Sequence, residues 1–187
     1  MRRGGVMLSL RAFLRRRAGG VLVETAVIMP ILVMLLLGGF EVGRYFLLGQ
    51  KLQRAAMTAA DLASRTESMT AGDVDDLFAA AREVARPFAL DADARVIVSS
   101  IVRPQDGSDP VVAWQRASGA GLFASAVGGE GETAVVDDPN LVKAGQSIIV
   151  AEAIVRYRPL LFDDMTEQTI AAEASFRPRF SRQVALE

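Results

Sequence analysis

Between Gly20 and Phe40 the chain reads GVLVETAVIMPILVMLLLGGF, an apolar run of about twenty residues with Glu24 as its only charge. At a helical rise of about 1.5 Å per residue the run covers roughly 30 Å, the thickness of a bilayer's hydrocarbon core. It therefore predicts one membrane-spanning helix over residues 20–40. Pro30 falls inside it. A proline costs about 3 kcal/mol in the interior of a soluble helix, but membrane helices tolerate it because the freed carbonyl is satisfied locally. A bend near Met29 is expected there, with the helix continuing.

The rest of the composition agrees. A hydrophobic share of 51% with positive mean hydropathy lies at the upper end for a soluble domain, so some apolar sequence should be serving lipid. A length of 187 residues allows one domain plus an anchor. The net charge of -1 hides an asymmetry, because every charged residue before Glu24 is an arginine. Those arginines outnumber the charges just after the run, Glu41 and Arg44, so the positive-inside rule puts the N-terminus in the cytoplasm and everything from about residue 41 outside. A cleavable secretory signal is the competing reading. Against it, the apolar run is longer than a usual signal core and leads into further helical sequence without a loop.

The sequence has no Cys and no His. Thiolate nucleophiles, disulfides, imidazole bases and the common zinc or copper ligands are thereby excluded, and neither a cofactor nor a metal is expected. The remaining charges are balanced and give no sign of a nucleic-acid surface.

Glu24 is the costly residue, since a carboxylate near the start of a lipid-spanning helix is unfavourable by a few kcal/mol. Snorkelling to the headgroups is the plain explanation. The spacing offers another: a cut after Gly19 would make Gly20 a free amino terminus with Glu24 one helical turn away. Ammonium and carboxylate could then pair, within a chain or between neighbours, and lower each other's burial cost.

The stretch Arg15-Arg16-Arg17-Ala18-Gly19, followed by Gly20-Val21-Leu22-Val23-Glu24-Thr25-Ala26 and by Pro30, resembles the type IV pilin-like proteins, and within them the TadE-like pseudopilins of the tight-adherence (Flp pilus) system. Tyr157-Arg158-Pro159 and Arg177-Pro178-Arg179 also look like features of that family. The resemblance implies a leader cut by a prepilin peptidase after Gly19, or after Gly20 given the glycine pair, with Glu24 acting in processing or assembly. Thr25 departs from the pattern, many relatives having Phe there.

Helical periodicity continues from Glu41 to Arg65. Leu48, Leu52, Ala55, Ala59 and Leu62 mark one face, and Gln50, Lys51, Gln53, Arg54 and Asp61 the other. Gly39 and Gly43 form a small-xxx-small pair that would let another helix approach closely. The alanine face is expected to pack on the chain's own domain. A turn over 66–72 precedes a second helix at about Asp73 to Arg86, with Thr70 as N-cap, Asp73 three positions on, and an apolar face of Val74, Leu77, Phe78, Ala81, Val84 and Phe88; Pro87 stops it.

Strands are expected at Arg95 to Arg103, Pro110 to Arg116, Ser147 to Arg158 and Thr169 to Arg177, the first two joined by a hairpin turn over 104–109. In the third, Ile149, Ala151, Ala153, Val155 and Tyr157 alternate with Glu152, Arg156 and Arg158. In the fourth, Ile170, Ala172, Ala174 and Phe176 oppose Glu173 and Arg177. Four antiparallel strands with one wet face follow. Ala117 to Gly145 reads as a long Gly-rich loop with a short helical turn near 139–142.

The acidic doublets Asp75-Asp76, Asp137-Asp138 and Asp163-Asp164 point their side chains apart and read as solvated surface. Arg156, Arg158, Arg177, Arg179 and Arg182 make a candidate basic stripe for a partner.

The expected organisation is a basic leader (1–19), a spanning helix (20–40), its amphipathic extension (41–65) and an extracytoplasmic α+β domain (66–187). The fold class is α+β and pilin-like. The expected function is a non-enzymatic minor pseudopilin of the inner membrane, with membrane lipid, prepilin peptidase, other pilin subunits and pilus assembly proteins as partners. The alternative is an unprocessed, membrane-anchored periplasmic binding or scaffold module.

Overall fold

The computed structural model describes residues 17–90, 93–119, 123–136, 138, 141–160 and 167–187. The leader up to residue 16, Asp137, Asp163-Asp164 and half of the turn expected at 139–142 lie outside them. Helix α1 (Arg17–Ser64) is followed by strand β1 (Ser68–Met69), helix α2 (Ala71–Ala85) and strands β2 (Ala94–Val102), β3 (Val111–Ala117), β4 (Ser147–Tyr157), β5 (Gln168–Phe176) and β6 (Ala185–Leu186). The fold is α+β. Chain contacts divide it into two compact units, Met1–Arg44 and Tyr45–Glu187.

In the first unit α1 passes through Pro30 without interruption. Its most apolar stretch has no buried residue, and by length and composition it is the one helix among the described residues able to cross a membrane.

The second unit is built on a four-stranded antiparallel sheet of order β3-β2-β4-β5. The hairpin between β2 and β3 turns at Gly107, whose φ of 79° suits glycine and whose N–H donates to the Pro104 carbonyl at 3.1 Å. Asp106 Oδ1 accepts from Ser108 N–H at 3.0 Å, which holds the Asp106 carboxyl below its ordinary pKa. On one face of the sheet lie the second half of α1 and all of α2. Leu48, Leu52, Ala55, Ala56, Ala59, Ala60 and Ala63 pack there with Leu77, Phe78, Val96, Val98, Ile149 and Ala151. The alanine stripe thus serves the chain's own core, as its spacing indicates: small side chains let a helix backbone approach a sheet closely. Leu62 does not belong to that face and is 38% exposed; the buried positions drift toward Ala60 and Ala63 because 3.6 residues per turn do not match a strict alternation of four and three.

Helix α2 begins two residues earlier than expected, at a capping box. Thr70 Oγ1 accepts from Asp73 N–H, and Asp73 Oδ2 accepts from Thr70 N–H at 2.9 Å. Ala85 is buried in place of the half-buried Val84. The presumed turn at 66–72 contains β1, which pairs in parallel with β6. The C-terminal segment reaches it by crossing the sheet: Arg179 N–H donates to Ser64 C=O (3.0 Å), Ser147 N–H to Arg182 C=O (2.9 Å), and the Trp114 indole N–H to Val184 C=O (2.7 Å).

The wet face expected for β4 is absent. Both faces of β4 are buried, with Ile148 and Val150 packed against Val127, Ala134 and Val142 from the long loop. Glu152, expected in water, is 4% exposed. Its carboxylate accepts from Ser125 Oγ and, at 2.8 Å, from Ala126 N–H, so the loop that buries it also satisfies it. On β5 alternation survives, with Thr169, Ala171, Glu173 and Ser175 exposed.

Candidate functional site

Gly19 and Gly20 lie within the helical stretch that begins at Arg17, so no loop separates the expected cut from the apolar helix. Glu24 follows Gly20 by four residues on the same face of α1, about 6 Å along the axis. It is exposed, as are Val21, Leu22, Val23, Val27, Ile28 and Met29 around it. Thr25 Oγ1 donates back to the Val21 carbonyl at 2.9 Å, which satisfies a hydroxyl that would be costly to leave bare in an apolar setting. Apart from the helix's own nearby backbone and the adjoining residues, no atom of the described residues lies within 4 Å of where a Cβ would stand on Gly20, Gly39 or Gly43. The Gly39 and Gly43 surface is therefore open to a neighbour, and Pro30 lies on the same unburied stretch. At the end of this unit Arg44 and Glu41 pair at 3.4 Å.

The arginines do not form one stripe. Arg156 and Arg158 sit where β4 meets the start of β5. Arg156 pairs with Glu167 at 3.5 Å, and Arg158 with Glu167 at 2.7 Å and Asp93 at 3.4 Å. Arg177 and Arg179 lie past the other end of β5, about 25 Å or more away at the rise of a strand. Arg177 donates to Leu141 C=O at 2.8 Å and Arg179 to Asp61 at 2.9 Å. Each guanidinium fastens a loop or segment to the domain. Asp75 and Asp76 are both exposed on α2. Sequence reasoning missed Glu152 as a buried polar anchor, although the apolar residues at Ile148, Val150 and Ile154 on its own face were the available signal.

The molecule is thus an α+β protein whose long N-terminal helix is compatible with anchoring in a membrane. The family model described as TadE-like protein matches residues 19–61, and over that segment, from the glycine pair through Glu24 and Pro30 to the alanine stripe, the chain is similar to that family. Comparison with curated proteins and with solved structures gave no match.

Proposed function

We propose that this chain is a minor pseudopilin of a tight-adherence pilus or related secretion apparatus, cut by a prepilin peptidase and held in the inner membrane by residues 20–40. Its N-terminus faces the cytoplasm and its α+β domain the periplasm. The observation that carries the reading is the position of Glu24, an acid four residues past Gly20 on a helix whose most apolar stretch has no buried residue. Cleavage after Gly19 creates an ammonium one turn from that carboxylate, and the two offset each other's cost in lipid. The glycine pair favours the cut, because each glycine weakens the helix by about 1 kcal/mol relative to alanine and eases local opening in a protease. Once cut, the helix presents Gly39 and Gly43 to other pilin helices.

The test is mass spectrometry of the N-terminus after co-expression with a prepilin peptidase. A chain beginning at Gly20 is expected, and Glu24→Gln should impair fibre assembly. An intact leader under these conditions overturns the proposal and leaves a plain membrane tether.

A further inference from the structure

Helix α2 buries Val74, Leu77 and Phe78 and leaves Asp75, Ala79 and Arg82 exposed. Farther along, Glu83 and Arg86 pair with each other at 3.1 Å. The side chains of Asp75 and Arg82 have no ion-pair or hydrogen-bond partner among the described residues. Nor do they pair with each other. Seven residues separate them, about 10.5 Å along the axis, and the positions three and four residues on from Asp75, where a helical ion pair would form, hold Phe78 and Ala79. Both charges line one groove of about 480 Å³, between α2, the end of β3 and β6. Val74, Phe78 and Leu186 give it an apolar floor. Of the other charged residues there, Arg116 is taken up by Glu130 at 3.3 Å, and Glu187 adds a carboxylate beside β6.

Such a groove calls for an occupant with a small or apolar surface between a base and an acid about 10 Å apart, in the order opposite to that on α2. Read from its C-terminal end, α2 is itself such a helix. We propose that the groove along α2 takes α2 of a second copy, packed antiparallel about a two-fold axis, with Asp75 of each copy against Arg82 of the other. In that register Ala79 of one copy lies over Phe78 of the other at the axis, where the small side chain lets the helices approach, and both ion pairs form at once. Parallel packing would set Asp75 beside Asp75 and Arg82 beside Arg82, which the charges oppose. Exposed ion pairs are individually weak and are screened by salt, so the contact is reversible and salt-sensitive. It rests on α2 and its groove alone, independently of the leader and of the membrane reading.

The chain has no Cys, so Ala79→Cys introduces a single thiol, exposed and at the proposed axis. The full chain carrying it, in detergent micelles under a mild oxidant, should form disulfide-linked dimers about tenfold or more faster than a chain carrying Ser175→Cys, at an exposed position on β5. Combined with Ala79→Cys, either Asp75→Arg or Arg82→Asp should slow linking about tenfold by setting like charges together. Mixing the two charge variants should restore it, as dimers of one copy of each, because every pair is then of opposite sign. Asp75→Asn and Arg82→Gln serve should a reversal not fold, and each should slow linking about threefold. Salt at about 1 M should slow the Ala79→Cys chain and leave the Ser175→Cys chain unchanged. The proposal is overturned if Ala79→Cys links no faster than Ser175→Cys, if no charge variant slows it, or if the mixture stays as slow as its parts. Association through the apolar part of α1 would be indifferent to these charges. Leader cleavage is scored separately, so either reading can fail without the other.

Discussion

Asp73 both caps α2 and makes the domain sensitive to acid. The hydrogen bonds from the Thr70 N–H and hydroxyl favour its carboxylate and hold its pKa below the ordinary 3.8. The folded state therefore binds the proton less readily than the unfolded chain. The stability this group contributes is present above the ordinary carboxylate range and is lost as pH falls through the lowered value. Thr70→Ala should cost about 1 kcal/mol at neutral pH, measured by urea unfolding, and should flatten the fall in stability below about pH 4. Glu152→Ala should cost more, about 1–3 kcal/mol, because it strands the Ala126 N–H and the Ser125 hydroxyl under the loop. Ser100 is the opposite case. Among the described residues its buried hydroxyl has no hydrogen-bond partner, so Ser100→Ala should be neutral or stabilising in the same assay.

At the scale of elements, the second half of α1 is fitted to its site by the smallness of its side chains. Ala55, Ala56, Ala59, Ala60 and Ala63 are each fully buried. Ala59→Leu should destabilise by about 1–3 kcal/mol by forcing the helix off the sheet, with the thermal midpoint as readout. These helices and the four strands were legible because hydrophobic period, a Thr-x-x-Asp cap and a proline stop all agreed. The second face of β4 was misread because Glu152, Arg156 and Arg158 mark a wet surface by local pattern, and burial by a remote loop leaves no period in the strand. The pairing of β1 with β6 had no sequence signal, since two residues cannot establish an alternation. Of the candidate site, the spacing of Glu24 from Gly20 was visible in the sequence, while the cut at the glycine pair and the place of Pro30 in the pattern came from the resemblance. The scattering of the arginines depended on tertiary register.

For the whole molecule, the core of the second unit begins at Leu48, with Tyr45 packed against it. A chain of Tyr45–Glu187 should keep the thermal transition of the full protein while losing its retention on membranes, which sedimentation with vesicles would measure. Closure of that unit draws on segments far apart in sequence, since Ser64, Trp114 and Ser147 all bond to residues between Arg179 and Val184. Trp114 is the sole tryptophan, and the two tyrosines, Tyr45 and Tyr157, meet edge to face at 5.3 Å in the same unit. Ultraviolet emission therefore comes almost wholly from an indole fastened to the C-terminal segment. A red shift will report the release of that segment in real time, with no dye attached and no signal from the apolar anchor.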